Sequence, residues 1–218
     1  MKKPVSKKQL SPIEFGEMLH HVQNYGINWN NREIYLHSHY SSTEEEGIEY
    51  RMATQFIKNL HLLNSINNKK ITVHLQTPGG DWNHGIAMFD AVVFSKSPIS
   101  MIAYGEINSM SGIFFQSAKE RIMMPNCSLM IHKGFLALEG NTNAIHSNAM
   151  FSRRTDLSML KIFAEKAVSS PFFKEKKMNV KQIESYIDKK ISRVGDWNLT
   201  SEESVYYGFA DKIFDGKN

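Results

Sequence analysis

The chain has a single cysteine, Cys127, among its 218 residues. One cysteine excludes an internal disulfide and a metal site made of cysteines alone, and it fits a reducing compartment. No apolar run approaches the ~20 residues that a membrane-spanning helix needs. The basic N-terminus also lacks the apolar core of a signal peptide. We therefore expect a cytoplasmic protein that does not enter a membrane.

Excess charge is lacking as well, since the formal net charge is only +4. The one basic cluster lies near the N-terminus, where we predict a solvated tail, and nothing else indicates nucleic-acid binding. None of the nine histidines has a spacing typical of metal ligands, so we expect neither a metal nor a cofactor.

Apolar residues (41%) and charged residues (22%) are typical of a globular chain. We divide it into an N-terminal tail or docking segment, residues 1–30, and one domain, residues 31–218.

Strands and helices alternate in the middle of the chain. Apolar strands are predicted over residues 71–75, 99–104 and 128–131, and helical segments lie between them. This alternation is typical of parallel βαβ units with right-handed crossovers, and it predicts an α/β fold. In such sheets the reactive groups collect where the strands end.

Further elements are predicted on either side of this block. They are a helix over residues 12–21 with Ser11 as N-cap, a strand over 32–36, a helix opening at Ser41 and carrying Ile48, a strand and turn over 135–143, a long helix over 144–169, an exposed connection over 170–177, a short helix over 180–188, a helix between Thr200 and Gly208, and an end strand over 210–214. The long helix carries an apolar stripe, from Ile145 to Val168, which we interpret as core or as a subunit contact.

Two residues at predicted strand ends form a candidate catalytic pair. Ser109 lies in a small-residue turn that enters a helix, and His132 follows the strand 128–131. A serine becomes nucleophilic when a base takes its proton, and backbone N–H groups are needed to bind the developing oxyanion. Met110 at the helix start and the Gly79-Gly80 turn offer such N–H groups. Each signal is weak alone, because a turn serine is more often an N-cap and such a histidine is more often structural.

Four segments, taken together and in order, resemble the proteolytic subunit of the Clp protease, the ClpP family. They are LQTPGG at 75–80, GEINSM at 105–110, LMIH at 129–132 and DWNLTSEESVYYGFAD at 196–211. The family has a strand ending in Ser-Pro-Gly-Gly, a nucleophile within Gly-x-Ala-Ser-Met-Gly, a histidine after Met-Ile, and an aspartate that opens the closing segment. The resemblance covers roughly residues 32–214.

The resemblance implies a ClpP/crotonase-like fold of repeated βαβ units with a long protruding helix. It implies Ser109 as nucleophile, His132 as general base and Asp196 as the orienting carboxylate. The N–H groups of Gly80 and Met110 would form the oxyanion hole. The implied protein is a serine endopeptidase of unfolded or short polypeptides. It would work in a homo-oligomeric ring, a heptamer or tetradecamer, with an ATP-dependent unfoldase as partner.

Asp188 and Asp211 are the rival carboxylates, and the match to the family motif favours Asp196. The sequence also departs from the family at Asn108 and Ser111, which stand where small apolar residues are usual. Residues 169–179 depart from it too, and divergent copies of this kind are similar to those in phage genomes. Two alternatives therefore stay open. One is a catalytically inactive ring or scaffold subunit, and the other is a crotonase-like acyl-CoA enzyme, which needs no serine nucleophile.

Overall fold

The computed structural model describes residues 11–37 and 47–216. Within these ranges the helices are α1 (Pro12–Tyr25), α2 (Tyr50–Ile66), α3 (Trp82–Val93), α4 (Met110–Phe115), α5 (Thr142–Ala167), α6 (Pro171–Glu175), α7 (Val180–Val194) and α8 (Ser201–Tyr207). The strands are β1 (Ile27–Asn28), β2 (Glu33–His37), β3 (Ile71–Thr77), β4 (Ile99–Asn108), β5 (Glu120–Met123), β6 (Ser128–Ile131), β7 (Trp197–Leu199) and β8 (Lys212–Ile213). Helices and strands alternate as expected, and the α/β fold class is confirmed.

One sheet holds these strands, in the order β1-β2-β3-β4-β5-β8, and a branch carries β6 and β7. The pairs β2–β3, β3–β4, β4–β5, β4–β6 and β5–β8 are parallel, whereas β1–β2 and β6–β7 are antiparallel. None of the described helices is long and apolar enough to cross a membrane.

Strand β4 organises the site because it changes partner along its length. Its first half pairs with β5, and its last residues pair with β6, in the register Asn108↔Met130. Gly105, between the two halves, has a φ of 53°, a left-handed conformation that glycine adopts without a steric penalty. The change of partner brings the end of β6 beside the end of β4, which is where Ser109 and His132 follow.

The core lies between the sheet and the helices that cover it. Every residue of α4 is buried, and the ring of Phe114 packs edge-on against Phe56 of α2 at a centroid distance of 5.3 Å. Elsewhere in the core, the ring of Phe163 on α5 packs edge-on against Phe209. Because α4 starts directly after Ser109, this buried helix fixes the turn that carries Ser109 to the core.

Several predicted boundaries differ from the structure. Helix α1 runs on to Tyr25 and α7 runs on to Val194. The predicted helix start at Ser41 lies outside the described residues, and α2 begins at Tyr50 with Glu49 as its N-cap. Placing Ile48 on that helix is wrong, because its backbone pairs with Gly80 instead.

Two further predictions are wrong. Residues 135–143 form no strand, because β6 already pairs with β4 and β7 and no described strand lies beside this segment. The predicted exposed connection over 170–177 contains α6, which Ser170 caps. Phe173 of α6 is fully buried and packs edge-on against Tyr186. The division of the chain at residue 31 stays a prediction.

Candidate active site

Ser109 lies at the junction between β4 and α4 in an unusual backbone conformation. Its φ is 53° and its ψ is −122°, and a positive φ costs a non-glycine residue of order 1–3 kcal/mol. Its N–H donates to the Met130 carbonyl at 2.8 Å, which ties the turn to β6. This geometry leaves Oγ free of any capping role, since Ser109 makes no side-chain bond to its own helix.

His132 bridges Ser109 and Asp196. Its Nε2 lies 2.7 Å from the Oγ of Ser109, and its Nδ1 lies 3.4 Å from Oδ1 of Asp196. Strands β6 and β7 pair with Ile131 opposite Trp197, so the residues just beyond that pair, 132 and 196, face each other. The imidazole is 27% exposed, whereas the carboxylate is 62% exposed.

The Gly79-Gly80 segment lies against the Ser109 turn. A Cβ on Gly79 would stand 2.8 Å from Cβ of Ser109, so only glycine permits this approach. The Ile48 N–H donates to the Gly79 carbonyl, and the Asp81 N–H donates to the Ile48 carbonyl. In such an extended pairing the N–H of the middle residue, Gly80, points to the opposite edge. Gly80 itself lines the cavity described next.

The cavity has a volume of about 400 Å³. Ser109, His132, Gly80 and Met110 all line it. Its wall contains apolar side chains and two carboxylates: Trp82, Ile113, Phe135, Leu136, Phe151, Met159, Asp81 and Asp156. Asp81 also caps α3 by accepting from the N–H of His84 at 3.0 Å, as expected for a helix start.

The rival carboxylates have other partners. Asp211 pairs with Arg121, whose Nη2 lies 2.5 Å from Oδ1. Asp188 pairs with Lys133, whose Nζ lies 2.9 Å from Oδ1. Of the three candidate aspartates, Asp196 is the one that stands beside His132.

Two contacts that the sequence did not indicate hold the segment after His132. Lys133 Nζ donates to the Oγ of Ser192 on α7 as well as pairing with Asp188. The Gly134 N–H donates to Oδ1 of Asp156 on α5 at 3.1 Å. Both link residues far apart in the chain, and no local motif signals them.

Asn108, one of the departures from the family motif, turns away from Ser109. Its Nδ2 donates to Oε2 of Glu106 at 2.6 Å, while its buried Oδ1 has no hydrogen-bond partner in the described part of the chain. The described residues also contain no group of three or more His, Cys, Asp or Glu side chains arranged to hold a metal ion.

Comparison with known proteins gives a consistent result. The family model described as Clp protease matches residues 30–217. Among curated relatives, the ATP-dependent Clp protease proteolytic subunit of Deinococcus radiodurans is 26% identical over 171 residues, which are 77% of this chain and 76% of that protein. The subunit of the same name from Streptococcus suis is 30% identical over 175 residues, 77% of this chain and 81% of that protein.

The α/β fold, with its mixed sheet, is consistent with the fold of ClpP-type hydrolases. The chain belongs to the Clp protease family, a family of peptidases.

Proposed function

We propose that this chain is a serine endopeptidase with Ser109 as nucleophile, His132 as general base and Asp196 as the carboxylate that orients the base. The observation that carries the proposal is the 2.7 Å contact between His132 Nε2 and Ser109 Oγ inside the cavity. This distance is within hydrogen-bond reach, as proton transfer requires. The departures at Asn108 and Ser111 leave this contact in place.

In the acylation step, Oγ of Ser109 attacks the carbonyl carbon of the scissile peptide bond while Nε2 of His132 takes the hydroxyl proton. The carbonyl oxygen becomes an oxyanion, and the N–H groups of Gly80 and Met110 donate to it. When the C–N bond breaks, His132 returns the proton to the leaving amine. An ester then joins the acyl part of the substrate to Ser109.

In the deacylation step, His132 takes a proton from a water molecule whose oxygen attacks the ester carbonyl. The tetrahedral intermediate uses the same N–H donors. Collapse expels Oγ, which regains its proton from His132, and the acid product leaves. Asp196 holds the imidazole with Nδ1 towards the carboxylate and stabilises the imidazolium that forms in both steps.

Unfolded or short polypeptides are the substrates that suit this cavity. The segment from Phe135 to Glu139 begins at this cavity, which Phe135 and Leu136 line, and it has no strand partner among the described residues. An extended peptide can add beside such a backbone. The mostly apolar wall suits an apolar side chain next to the scissile bond.

Exposed apolar side chains support assembly into a homo-oligomeric ring, of heptamer or tetradecamer size by family resemblance. Helix α5 exposes 39% of Ile145, 50% of Phe151 and 58% of Leu157. Exposed apolar side chains that cluster on one element are typical of contact surfaces. An ATP-dependent unfoldase as partner is part of the same proposal, because the relatives are named subunits of an ATP-dependent protease.

The test is labelling with a fluorophosphonate probe, followed by native size-exclusion chromatography. We expect the wild type to be labelled in a large oligomer and Ser109→Ala to lose the label. Ser158→Ala, on the exposed face of α5, is the control and keeps it. An intact, unlabelled oligomer would instead favour the inactive scaffold. Acyl-CoA stabilising the protein in a thermal shift would favour a crotonase-like enzyme.

A further inference from the structure

Ser111 makes a contact that the proposed mechanism does not use. It is the second residue of α4 and is fully buried. Its Oγ lies 2.8 Å from the carbonyl oxygen of Thr77 and 2.7 Å from the carbonyl oxygen of Asn108. A hydroxyl has one hydrogen to donate, so the two carbonyls share it.

These two carbonyls belong to the segments that carry the proposed oxyanion donors. Thr77 ends β3 and leads through Pro78 into Gly79-Gly80. Asn108 ends β4 and leads into Ser109 and Met110. The Ser111 hydroxyl, in the first turn of α4, therefore links the ends of β3 and β4.

The sheet itself holds these strand ends loosely. The ladder between β3 and β4 is regular up to Leu75↔Ala103, and then it jumps to Thr77↔Ile107. Two positions on β3 are thus matched by four on β4, so the pairing is irregular where the segments leave the sheet. Beyond Thr77 the contact between Gly79 and the Ser109 turn is close packing. Packing is less directional than a hydrogen bond.

We propose that Ser111 is a positioning residue that sets the separation of the N–H groups of Gly80 and Met110. An oxyanion hole works when both donors lie 2.7–3.1 Å from the position of the oxyanion. The Ser111 hydroxyl fixes the two segments at that spacing through the carbonyls of Thr77 and Asn108. The inference rests on the proposed function and deepens it.

The expected effect falls on the transition state. The oxyanion exists only during reaction, so a misplaced donor lowers kcat and leaves KM nearly unchanged. For Ser111→Ala we expect kcat to fall by roughly 10- to 100-fold, less than the ~10²–10³-fold reported for losing an oxyanion donor outright. A peptide boronate, which forms a tetrahedral adduct on the serine, should lose affinity by a similar factor, whereas the KM for a matched peptide substrate should change less than two-fold.

Ser204→Ala is the matched control. Ser204 is also fully buried, and its Oγ donates to the Thr200 carbonyl at 2.7 Å in α8. Removal of a buried hydroxyl lowers stability in both variants, but only Ser111→Ala should change kcat and boronate affinity. Ser111→Cys, which keeps a weak donor of similar size, should recover part of the lost kcat. It also replaces Ser111→Ala as the test if that variant does not fold.

Equal kcat and equal boronate affinity in Ser111→Ala and Ser204→Ala would overturn the inference. So would a wild-type kcat in Ser111→Cys when Ser111→Ala does not fold, or a change confined to KM. The fluorophosphonate experiment separates this failure from that of the proposed function. A wild type labelled at Ser109 with an unaffected Ser111→Ala rejects only the positioning role, whereas an unlabelled wild type rejects the mechanism itself.

Discussion

His132 lies closer to Ser109 than to Asp196: Nε2 is 2.7 Å from Oγ, while Nδ1 is 3.4 Å from the carboxylate oxygen. The second distance exceeds the 2.7–3.2 Å usual for an N–H···O hydrogen bond. The carboxylate is also 62% exposed, so water competes for it. The proposed base, His132, is thus coupled tightly to the proposed nucleophile and loosely to the carboxylate proposed to orient it.

We therefore expect Asp196→Asn to cost less than in a tightly coupled triad, where the loss is ~10⁴-fold. The predicted decrease in kcat/KM is about 10²-fold, which corresponds to about 2.7 kcal/mol of transition-state stabilisation. The rates of peptide hydrolysis by Asp196→Asn and by Ser109→Ala, compared with the wild type, test this prediction. If Asp196→Asn is as inactive as Ser109→Ala, the coupling in the working enzyme is tight.

Asp211 is predicted to support stability and not catalysis. Arg121 is largely buried and donates to Asp211, to Oε1 of Gln116 and to the Gly208 carbonyl. Removing one partner leaves a buried guanidinium without its counter-charge, which costs about 3 kcal/mol. In urea unfolding, Asp211→Asn should lose about that much, whereas its folded fraction should keep the wild-type kcat/KM. Asp188→Asn is the control, since its exposed pair with Lys133 contributes less than ~1 kcal/mol.

Cys127 is predicted to be inert in the native protein. Burial raises the pKa of its thiol to about 12, and the charge of Glu106 adds to the effect. The reactive thiolate is therefore nearly absent at pH 8. Ellman's reagent should react with the unfolded chain at least ~10²-fold faster than with the native protein, and iodoacetamide should leave peptidase activity unchanged. Rapid native reaction or inhibition by iodoacetamide would contradict this.

His74 is predicted to make stability depend on pH. Its ring stacks on Tyr35 at 4.6 Å, its Nδ1 lies 2.9 Å from the Tyr104 hydroxyl, and its Nε2 has no partner among the described residues. Burial lowers the pKa of His74 below the ordinary 6.5, and the charge of Glu33 opposes this only in part. The unfolded chain thus binds a proton more readily than the folded one, so stability falls as pH drops below about 6.5.

The melting temperature, recorded between pH 7.5 and pH 5, tests this expectation. His74→Gln should flatten the acid side of the curve, because Gln carries no proton to gain. His61→Gln, at an exposed position on α2, should leave the slope unchanged. Identical slopes in wild type and His74→Gln would show that other groups cause the acid loss.

The sequence predicted the strand ends well because parallel strands bring distant residues to one edge. The motifs at Gly80, Ser109 and His132 each follow an apolar strand, and the structure places them around one cavity. The sequence pattern could not decide between Asp188, Asp196 and Asp211 as the carboxylate beside His132. Asp196 lies opposite His132 because β6 pairs antiparallel with β7. The spacing of residues in the sequence does not reveal this pairing, so only the family motif favoured Asp196.

The wrong predictions share one physical cause, which is a dependence on neighbours remote in sequence. Residues 135–143 begin with a short apolar run that resembles a strand, but no described strand lies beside them. Residues 170–177 are rich in charge, yet Phe173 is buried and packs against the partly buried rings of Tyr186 and Tyr207. Ser111 resembles any serine in a first helical turn, and the sequence likewise did not indicate its contact with the carbonyl of Thr77, 34 positions earlier in the chain.

The left-handed backbone of Ser109 has a consequence for how this protein responds to selection. Glycine adopts a φ of 53° without the steric penalty that Ser109 bears. We expect Ser109→Gly to gain up to ~1 kcal/mol in urea unfolding, whereas Ser109→Ala, which keeps a Cβ, should gain nothing. Selection for thermostability alone would thus favour loss of the Ser109 side chain, on which the chemistry is proposed to depend. Variants would therefore have to be screened for peptide hydrolysis and for thermostability together.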